Sequence, residues 1–357
     1  MMNFKPLYWF YQLSMTPLSW IWESIYRFRR FNYKYGFQQQ RRYMVPIISI
    51  GNLTFGGTGK TPFTVWVSNY LNQQNKKILV LTRGYRGKLE NSHGIIRSGR
   101  KMGVNPVEFG DEALLLSRRL KNASIVVGKN RSANLEYYFD SEKPDVVVLD
   151  DGYQHLRLKR DLNIVLFDAT MPMNRYRVAP LGYMREGFKS LKDAQIAVIG
   201  RVDLVSQSKI DELENIIKKY GPRDLPIVHF SYGPTSVLDF QYRPKFEPTE
   251  LQGRRVVAVS GIASPDSFYQ LLETNGTEIV SKVTYPDHYH YRQMDIDQIL
   301  SKAQELDAIV VTTEKDMVKL RRLTNDDRFH YIEIDINILK GELALKQKIE
   351  KLLGVFQ

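Results

Sequence analysis

The sequence predicts an α/β protein with a mostly parallel β-sheet, and three observations support this fold class. Strand-like runs alternate with helical patterns along most of the 357 residues, which is typical of parallel strands joined by helices. The run at residues 145–149 is apolar after its first residue and rich in β-branched valine, as expected of a strand that helices cover on both faces. The composition, with 43% hydrophobic and 25% charged residues, is ordinary for a globular protein long enough to form two cores.

The predicted elements fall into two series, separated by a proline-containing segment at residues 231–253 that we expect to be irregular. We therefore predict a first domain over residues 1–174 and a second, smaller α/β domain over residues 175–357, with the chain crossing near residues 175–186. The first series has predicted strands at 77–82, 124–127, 145–149, 163–167 and 195–199, and predicted helices at 111–120 and 131–139. The second series has predicted strands at 255–260, 278–283, 308–312 and 331–334.

A glycine-rich loop lies between a short β-rich run at residues 45–50 and a helical pattern that begins near Phe63. This order is the context of a phosphate-binding P-loop, in which backbone amides at a helix N-terminus surround phosphate oxygens. Lys60 would reach the β- and γ-phosphates, and the Thr61 hydroxyl would bind Mg²⁺. Thr54 stands where the strict motif has its first glycine, so an ordinary glycine-rich turn is the alternative. The residues predicted to bind the nucleotide are Thr54, Gly56, Gly57, Thr58, Gly59, Lys60, Thr61 and Pro62.

Two adjacent carboxylates, Asp150 and Asp151, follow the strand predicted at residues 145–149. Open α/β sheets place ligand chemistry at the carboxyl ends of their strands. In a P-loop enzyme, an aspartate at such a position holds the Mg²⁺ that the loop hydroxyl also binds. An Asp-Asp-Gly sequence on its own is usually a turn after a strand, but its combination with the P-loop pattern predicts a magnesium site.

Positive charge and aromatic residues are concentrated near the start of the chain. Residues 1–43 carry a net charge of +6, half of the +12 of the whole chain, and contain three of the four tryptophans. This mixture is typical of an amphipathic helix in a membrane interface, and polar residues interrupt it too often for a spanning helix. The alternative is a helix that packs its aromatic residues on the protein's own core. The chain has no cysteine, which excludes disulfides and cysteine nucleophiles.

Six motifs, in their order along the chain, resemble those of the tetraacyldisaccharide 4′-kinase family, and the resemblance covers nearly the whole sequence. The family shares the missing first glycine of the P-loop. One departure lies at residues 179–186, where the family usually has a proline after Gly182, and it concerns the geometry of that loop. The matching motifs lie at residues 51–62, 83–85, 110–112, 150–155, 286–288 and 313–316.

The resemblance implies a peripheral enzyme at the cytoplasmic face of the inner membrane, with ATP and Mg²⁺ as cofactors. Its reaction would be phosphorylation of the 4′-hydroxyl of an acylated glucosamine disaccharide 1-phosphate in lipid A biosynthesis. The resemblance also implies that Asp111, paired with His288, is the base for the hydroxyl, that Lys60 is catalytic, and that the second domain closes over the site. The implied metal ligands are Thr61, Asp150, Asp151, Glu112 and Gln154, and the implied acceptor-side residues are Arg83, Tyr85, Arg131 and His155.

Three other functional classes fit the sequence less well. A membrane-cycling P-loop ATPase without a lipid substrate would carry a lysine just before Gly56, where this chain has Phe55. A GTPase would carry an Asn-Lys-x-Asp motif, which this sequence lacks. A nucleic-acid-binding protein would place its basic residues along a recognition element and not beside tryptophans, so we expect no nucleic acid partner.

Overall fold

A computed structural model of the protein describes residues 5–97 and 104–354, with the side chains of residues 5–10 outside the description. Within these residues the chain forms ten α-helices and thirteen strands. The helices are α1 (Lys5–Lys34), α2 (Lys60–Gln73), α3 (Pro106–Phe109), α4 (Asp111–Arg119), α5 (Arg131–Glu142), α6 (Gln207–Tyr220), α7 (Pro265–Thr274), α8 (Gln293–Glu305), α9 (Glu314–Leu320) and α10 (Glu342–Leu352). The strands are β1 (Ile47–Asn52), β2 (Ile78–Thr82), β3 (Gly94–Arg97), β4 (Ala123–Val127), β5 (Val146–Asp150), β6 (Leu162–Asp168), β7 (Ile196–Gly200), β8 (Ile227–Asp239), β9 (Pro244–Phe246), β10 (Arg255–Ser260), β11 (Glu278–Thr284), β12 (Ile309–Thr313) and β13 (Phe329–Lys340).

In the described part of the chain the strands form one sheet, in the order β11-β10-β12-β13-β8-β7-β6-β1-β5-β2-β4-β3, and β9 pairs with β8. Neighbouring strands are parallel within each half of the sheet, except at the β3–β4 and β8–β9 pairs. The long antiparallel ladder between β8 and β13 joins the two halves, so their parallel strands run in opposite directions. The predicted α/β fold with a mostly parallel sheet is confirmed.

Helices cover both faces of this sheet. On one face of the first half, α2, α4 and α10 pack through Phe63, Leu116 and Ile349. On the other face, α5 and α6 pack through Leu135 and Leu213. The second half is covered by α7 on one side and by α8 and α9 on the other. Strands β1, β2, β4, β5, β6 and β7 are buried along their whole length, which explains why their sequences are mostly apolar.

The predicted strands are all present, although β13 is longer than the predicted 331–334. The prediction of an irregular segment at residues 231–253 is wrong, because β8 continues to Asp239 and β9 follows it. Pro234 misled the prediction, since a proline removes one hydrogen-bond donor from a strand. In the structure Pro234 pairs with Ile334 beside a shift in the register of the ladder, where a strand tolerates a proline.

The predicted domain boundary between residues 174 and 175 remains a prediction, but the sheet itself does not stop there. Strand β7 pairs with β6, and β8 pairs with β7, so the sheet continues across this point of the sequence. Helix α10 also returns to the first half, where Leu345 and Ile349 join the core that contains Tyr70 of α2. A hydrogen bond between Tyr70 and Glu350 adds to this contact. The two halves therefore share a sheet and part of a core.

The first helix, α1, packs on the segment that connects β6 to β7. Trp22 Nε1 donates to the Arg185 carbonyl oxygen at 3.0 Å, and the Arg30 guanidinium pairs with Glu186. On the outer side of this helix, Trp20 and other apolar side chains face solvent. The alternative prediction, in which the helix packs its aromatic residues on the protein's own core, does not account for these side chains. No helix in the described part of the chain is long and apolar enough to cross a membrane. The exposed large apolar side chains of α1 are Tyr11, Leu13, Leu18, Trp20, Ile21, Trp22, Ile25, Phe28 and Phe31.

Candidate active site

The glycine-rich loop connects β1 to α2 in the conformation that a P-loop requires. Gly56 and Gly59 have φ angles of +99° and +84°, which favour glycine, and Gly59 caps the N-terminus of α2. The Lys60 ammonium lies 3.4 Å from the Gly56 carbonyl oxygen, so the side chain lies over the loop. The Thr58 hydroxyl is buried and has no hydrogen-bond partner among the described residues. A buried hydroxyl and free amides at a helix N-terminus fit a bound phosphate.

Thr54 replaces the first glycine of the strict motif because the backbone at this position does not need a glycine conformation. It forms an antiparallel bridge with Met184, and its φ angle is not positive. Its hydroxyl accepts a hydrogen bond from Asn52 Nδ2 at 3.2 Å. The loop at residues 179–186, in which the sequence departs from the family pattern, therefore supports the start of the P-loop.

Asp150 ends β5 beside the P-loop and is buried. Its two carboxylate oxygens accept hydrogen bonds from Thr64 at 3.1 Å and from Thr82 at 3.3 Å. Burial raises the pKa of Asp150 above its usual range, and the nearby carboxylates of Glu112 and Asp151 raise it further. A divalent cation relieves this kind of crowding between negative charges.

Asp151 is the next residue, has a φ angle of +52°, and faces cations. Its carboxylate oxygens lie 2.9 and 3.1 Å from Arg185 Nη1, and one of them lies 3.7 Å from Lys60 Nζ. Arg131 Nη1 donates to its backbone carbonyl oxygen at 3.0 Å. Burial alone would raise the pKa of Asp151, but the charges of Lys60, Arg185 and Arg131 hold this pKa well below its usual range. Asp151 is therefore ionised beside the P-loop lysine.

A third carboxylate, Asp111, is the first residue of α4 and contacts the second half of the protein. Its Oδ2 lies 3.1 Å from His288 Nδ1, although 177 residues separate the two in sequence, and 3.6 Å from Lys319 Nζ. Burial alone would raise the pKa of Asp111, but the hydrogen bond with His288 and the charges of Lys319 and Lys315 lower this pKa to about 2. The structure thus brings the predicted Asp111–His288 pair together and keeps the carboxylate ionised.

Of the residues expected on the acceptor side, Tyr85 contacts this pair, and Arg83 and His155 line the same cavity as His288. The Tyr85 ring packs edge-on against His288 with ring centroids 5.1 Å apart, and Arg83 pairs with Glu90 at 2.6 Å. His155 is half-buried, and its buried Nε2 has no hydrogen-bond partner among the described residues. Burial and neighbouring arginine charges lower the pKa of His155 to about 3, so its imidazole is neutral at physiological pH.

Arg131, Gln154 and Glu112 lie near the strand-end carboxylates. Arg131 contacts the Asp151 backbone, as described above, and Gln154 Nε2 donates to the Asn52 carbonyl oxygen at 2.9 Å. Among residues 5–97 and 104–354, no group of three or more His, Cys, Asp or Glu side chains could hold a metal ion by itself. The donor set still fits Mg²⁺ bound together with a nucleotide, because that ion takes several ligands from phosphate oxygens and water.

One cavity of about 1780 Å³ holds both the P-loop and the acceptor-side groups. Residues after β10 and β12, such as Ile262 and Lys315, also line it, so both halves of the sheet contribute to its walls. Asp111 contacts the cavity wall through His288. The predicted site residues that line the cavity are Gly56, Gly57, Gly59, Lys60, Thr61, Pro62, Arg83, Tyr85, Glu112, Arg131, Asp150, Asp151, Gln154, His155 and His288.

The sequence matches the family described as tetraacyldisaccharide-1-P 4′-kinase over residues 11–354. The chain belongs to this family. The tetraacyldisaccharide 4′-kinase of Halothermothrix orenii is 32% identical, over 94% of this chain and 91% of its own length. That of Geobacter metallireducens is 35% identical, over 92% and 94%. The crystal structure of LpxK from Aquifex aeolicus in complex with ATP is 27% identical in sequence, has a TM-score of 0.76, and covers 96% of this chain and 99% of its own.

Membership of the tetraacyldisaccharide 4′-kinase family makes this protein an enzyme, a kinase that uses ATP with Mg²⁺ and has an alcohol group as acceptor. The resemblance inferred from the six motifs is confirmed. The match over nearly the whole chain favours the kinase over the membrane-cycling ATPase, which was the main alternative.

Sequence reasoning missed several side chains of this kinase site. Thr64 lies beyond the P-loop motif, and only the packing of α2 against β5 brings it to Asp150. Arg185 lies in a loop whose sequence gave no signal of a charged contact. Arg201, which donates to the Gly57 carbonyl oxygen at 3.3 Å, follows β7 without a recognisable motif. Lys315 lies in one of the six motifs, at residues 313–316, but the sequence did not indicate its contacts with Asp287 and His288.

Proposed function

We propose that this protein transfers the γ-phosphoryl group of ATP to the 4′-hydroxyl of an acylated glucosamine disaccharide 1-phosphate in lipid A biosynthesis. The observation that carries the proposal is one cavity with a P-loop and two aspartates on one side and His288, paired with Asp111, on the other. The first group supports binding of nucleotide phosphates, and the second supports activation of a hydroxyl group. An ATPase would need only the first group, together with a site for water.

On the nucleotide side, the loop amides and Lys60 bind the phosphates, while Thr61, Asp150 and Asp151 hold Mg²⁺, with Glu112 and Gln154 in support. Bound Mg²⁺ neutralises charge on the phosphate oxygens. Arg185 orients Asp151 through the two contacts to its carboxylate. Because phosphoryl transfer asks a protein mainly for positioning and charge neutralisation, these fixed groups supply much of the rate enhancement.

On the acceptor side, the hydroxyl oxygen forms a bond to the γ-phosphorus as the bond to the ADP oxygen breaks, and the hydroxyl proton passes to Asp111. A carboxylate with a pKa of about 2 is a weak base, so Asp111 first orients the hydroxyl by accepting its hydrogen bond. Late proton transfer suits the loose transition state of phosphoryl transfer. His288 orients Asp111, and Arg83, Tyr85, Arg131 and His155 contact the sugar and its charged groups.

We further propose that the protein is peripheral to the cytoplasmic face of the inner membrane and binds there through α1. The exposed side chains of Trp20, Ile25 and Phe28 support this, because such side chains partition into the interface while nearby arginines attract anionic lipid. Tyr26 and Arg29 of the same helix line the cavity, so α1 extends from the proposed membrane surface to the acceptor site.

The test is to incubate the purified protein with ATP labelled on the γ-phosphate, Mg²⁺, detergent and the disaccharide 1-phosphate acceptor. We expect label in the lipid, and none when the acceptor is the 4′-deoxy compound, which has no hydroxyl to react. Release of label as inorganic phosphate at the same rate with and without acceptor would support an ATPase and contradict the kinase assignment.

A further inference from the structure

His288 lies between two groups of opposite charge. Its Nδ1 is 3.1 Å from Asp111 Oδ2, and its Nε2 is 3.2 Å from the Lys315 ammonium nitrogen. Lys315 also donates to Asp287 Oδ1 at 2.9 Å. Since Asp111 begins α4 and Lys315 is in the first turn of α9, the imidazole connects two helices from different halves of the protein.

These contacts specify where the imidazole carries its proton. Burial alone would lower the pKa of Lys315, but the negative charges of Glu112 and Asp287 raise this pKa above its usual value, so the side chain is an ammonium. An ammonium has only donors, so Nε2 of His288 must accept from Lys315 with its lone pair. The proton of the neutral ring is then on Nδ1, from which it donates to Asp111.

We propose that Lys315 is a positioning residue that holds His288 as the neutral tautomer with its proton on Nδ1. The consequence for catalysis rests on the proposed role of Asp111 as the base. Without the ammonium, Nε2 would face the Asp287 carboxylate, which is 3.7 Å away, and both ring nitrogens would then face carboxylates. That arrangement favours a second proton on the ring: Tyr85, which also packs against the imidazole, adds no charge, and Arg86 contacts the Asp287 backbone carbonyl oxygen.

The tautomer matters to the base because an imidazolium would neutralise the Asp111 carboxylate more completely than a neutral ring does. A neutral donor orients the carboxylate while leaving it able to accept the hydroxyl proton. Loss of Lys315 should therefore lower kcat by about tenfold, with a smaller change in the KM for ATP.

The test is nuclear magnetic resonance of the full-length protein labelled with ¹⁵N-histidine, in which His288→Ala identifies the His288 signals. In the wild type at neutral pH we expect a protonated Nδ1 and an unprotonated Nε2. Lys315→Met should move the Nε2 signal to the protonated position and lower kcat, and Lys315→Arg, which retains the donor, should restore both. In Lys315→Met combined with Asp287→Asn, the competing carboxylate is gone, so Nε2 should return to the unprotonated state.

Lys319→Met is the matched control, because Lys319 is a cation on the same helix that faces Asp111 and Asp316. Its loss should reduce kcat without protonating Nε2. A protonated Nε2 in the wild type would overturn the inference whether or not the variants fold, and so would a Lys315→Met spectrum identical to that of the wild type. If the spectra are as expected but the protein does not phosphorylate the acceptor, the assigned tautomer stands and the proposed function is overturned.

Discussion

The nucleotide side and the acceptor side of the cavity are built in opposite ways. The nucleotide side is local, because the P-loop follows β1 and Asp150 ends β5, and these two strands are neighbours in one parallel half of the sheet. The acceptor side joins distant parts of the chain, since Asp111 begins α4 whereas His288 and Lys315 belong to the second half. We therefore expect phosphate binding to depend mainly on the first half, whereas the proposed base is assembled only when both halves are folded together.

The two sides also shift the pKa values of their carboxylates in opposite directions. Burial and neighbouring carboxylates raise the pKa of Asp150, so its negative charge is disfavoured in the fold. Despite burial, His288, Lys319 and Lys315 lower the pKa of Asp111 to about 2, so its charge is favoured. We therefore expect repulsion that a cation relieves on the nucleotide side, and attraction that stabilises the protein on the acceptor side.

The largest effect is expected from loss of the P-loop lysine. Lys60→Ala removes the cation that would neutralise the transferring phosphoryl group, so turnover should fall by about 10³-fold while the fold is retained. Lys302→Ala, at an exposed position on α8, is the matched control and should leave turnover unchanged. The measurement is transfer of label from ATP to lipid, with circular dichroism to check folding. Near-normal transfer by Lys60→Ala would refute the phosphate site.

The next largest effect should separate the two sides kinetically. Asp111→Ala should lower kcat by about 10²-fold and leave the KM for ATP nearly unchanged, because the contacts of Asp111 are with His288 and Lys319. His288→Ala should cost about tenfold, since this side chain orients the base. The double variant should lose much less than the product of the two single losses if the pair acts as one unit. Fully multiplicative losses in steady-state kinetics would show that the two side chains act independently.

Stability should change in opposite directions at Asp150 and Asp111. In buffer with a chelator at neutral pH, Asp150→Asn should raise the free energy of unfolding, because it removes a charge that the fold disfavours. Asp111→Asn should lower this free energy by about 2 kcal/mol, because the pKa of Asp111 falls from 3.8 to about 2 on folding. Urea unfolding measures both effects, and a destabilised Asp150→Asn protein would contradict the proposed repulsion.

The same difference predicts how the contribution of Asp111 depends on pH. A carboxylate whose pKa is lowered by folding stabilises the protein above its unfolded pKa, here near 3.8. This stabilisation is lost as the pH falls from 3.8 toward 2. The gap in unfolding free energy between the wild type and Asp111→Asn should therefore narrow over this range, whereas a constant gap would show that the charge is not its origin.

The smallest effect is expected from the outer side of α1, whose exposed apolar side chains would affect only binding of the lipid acceptor. Replacing Trp20, Ile25 and Phe28 by serine should abolish sedimentation with anionic vesicles. It should also raise the KM for the lipid acceptor by about tenfold without changing the KM for ATP. Sedimentation of the triple variant at the wild-type level would show that these side chains do not bind the membrane.

Two further variants of this protein serve as controls for the test of α1. Leu343→Ser changes an exposed apolar residue on α10, far along the chain, and should leave vesicle binding unchanged. Deletion of residues 1–30 should also abolish binding, but it removes Arg30, which pairs with Glu186 beside Arg185. The deletion should therefore also raise the KM for ATP, unlike the triple substitution, because Arg185 holds Asp151.

The nucleotide side could be predicted from the sequence because its signals are local. A strand, a glycine-rich loop and a helix follow one another, and the carboxyl end of β5 is marked by Asp150 and Asp151. Even the missing glycine at Thr54 did not prevent the prediction, because the bridge to Met184 lets threonine fit there.

The acceptor side could be predicted only in part, from the family resemblance. Nothing in the sequence itself shows that Asp111 meets His288, because their contact depends on how the β8–β13 ladder joins the two halves. The same ladder explains why the segment around Pro234 was not predicted as a strand. Its local sequence is unfavourable for a strand, and pairing with β13, which is distant in sequence, stabilises it. The motif at residues 313–316 located Lys315, but its contacts could not be predicted, because its partners Asp287 and His288 lie on a loop distant in sequence.

During synthesis α2 emerges from the ribosome long before α10, because Gln73 at the end of α2 and Glu342 at the start of α10 lie 269 residues apart. The part of the core that Leu345 and Ile349 complete therefore stays open to solvent until residues 342–352 have left the exit tunnel. The half that contains the P-loop therefore cannot complete its own core before α10 has been made, although its strands and loops are made first. For most of its synthesis the nascent chain exposes apolar surface of the kind that aggregates or binds chaperones.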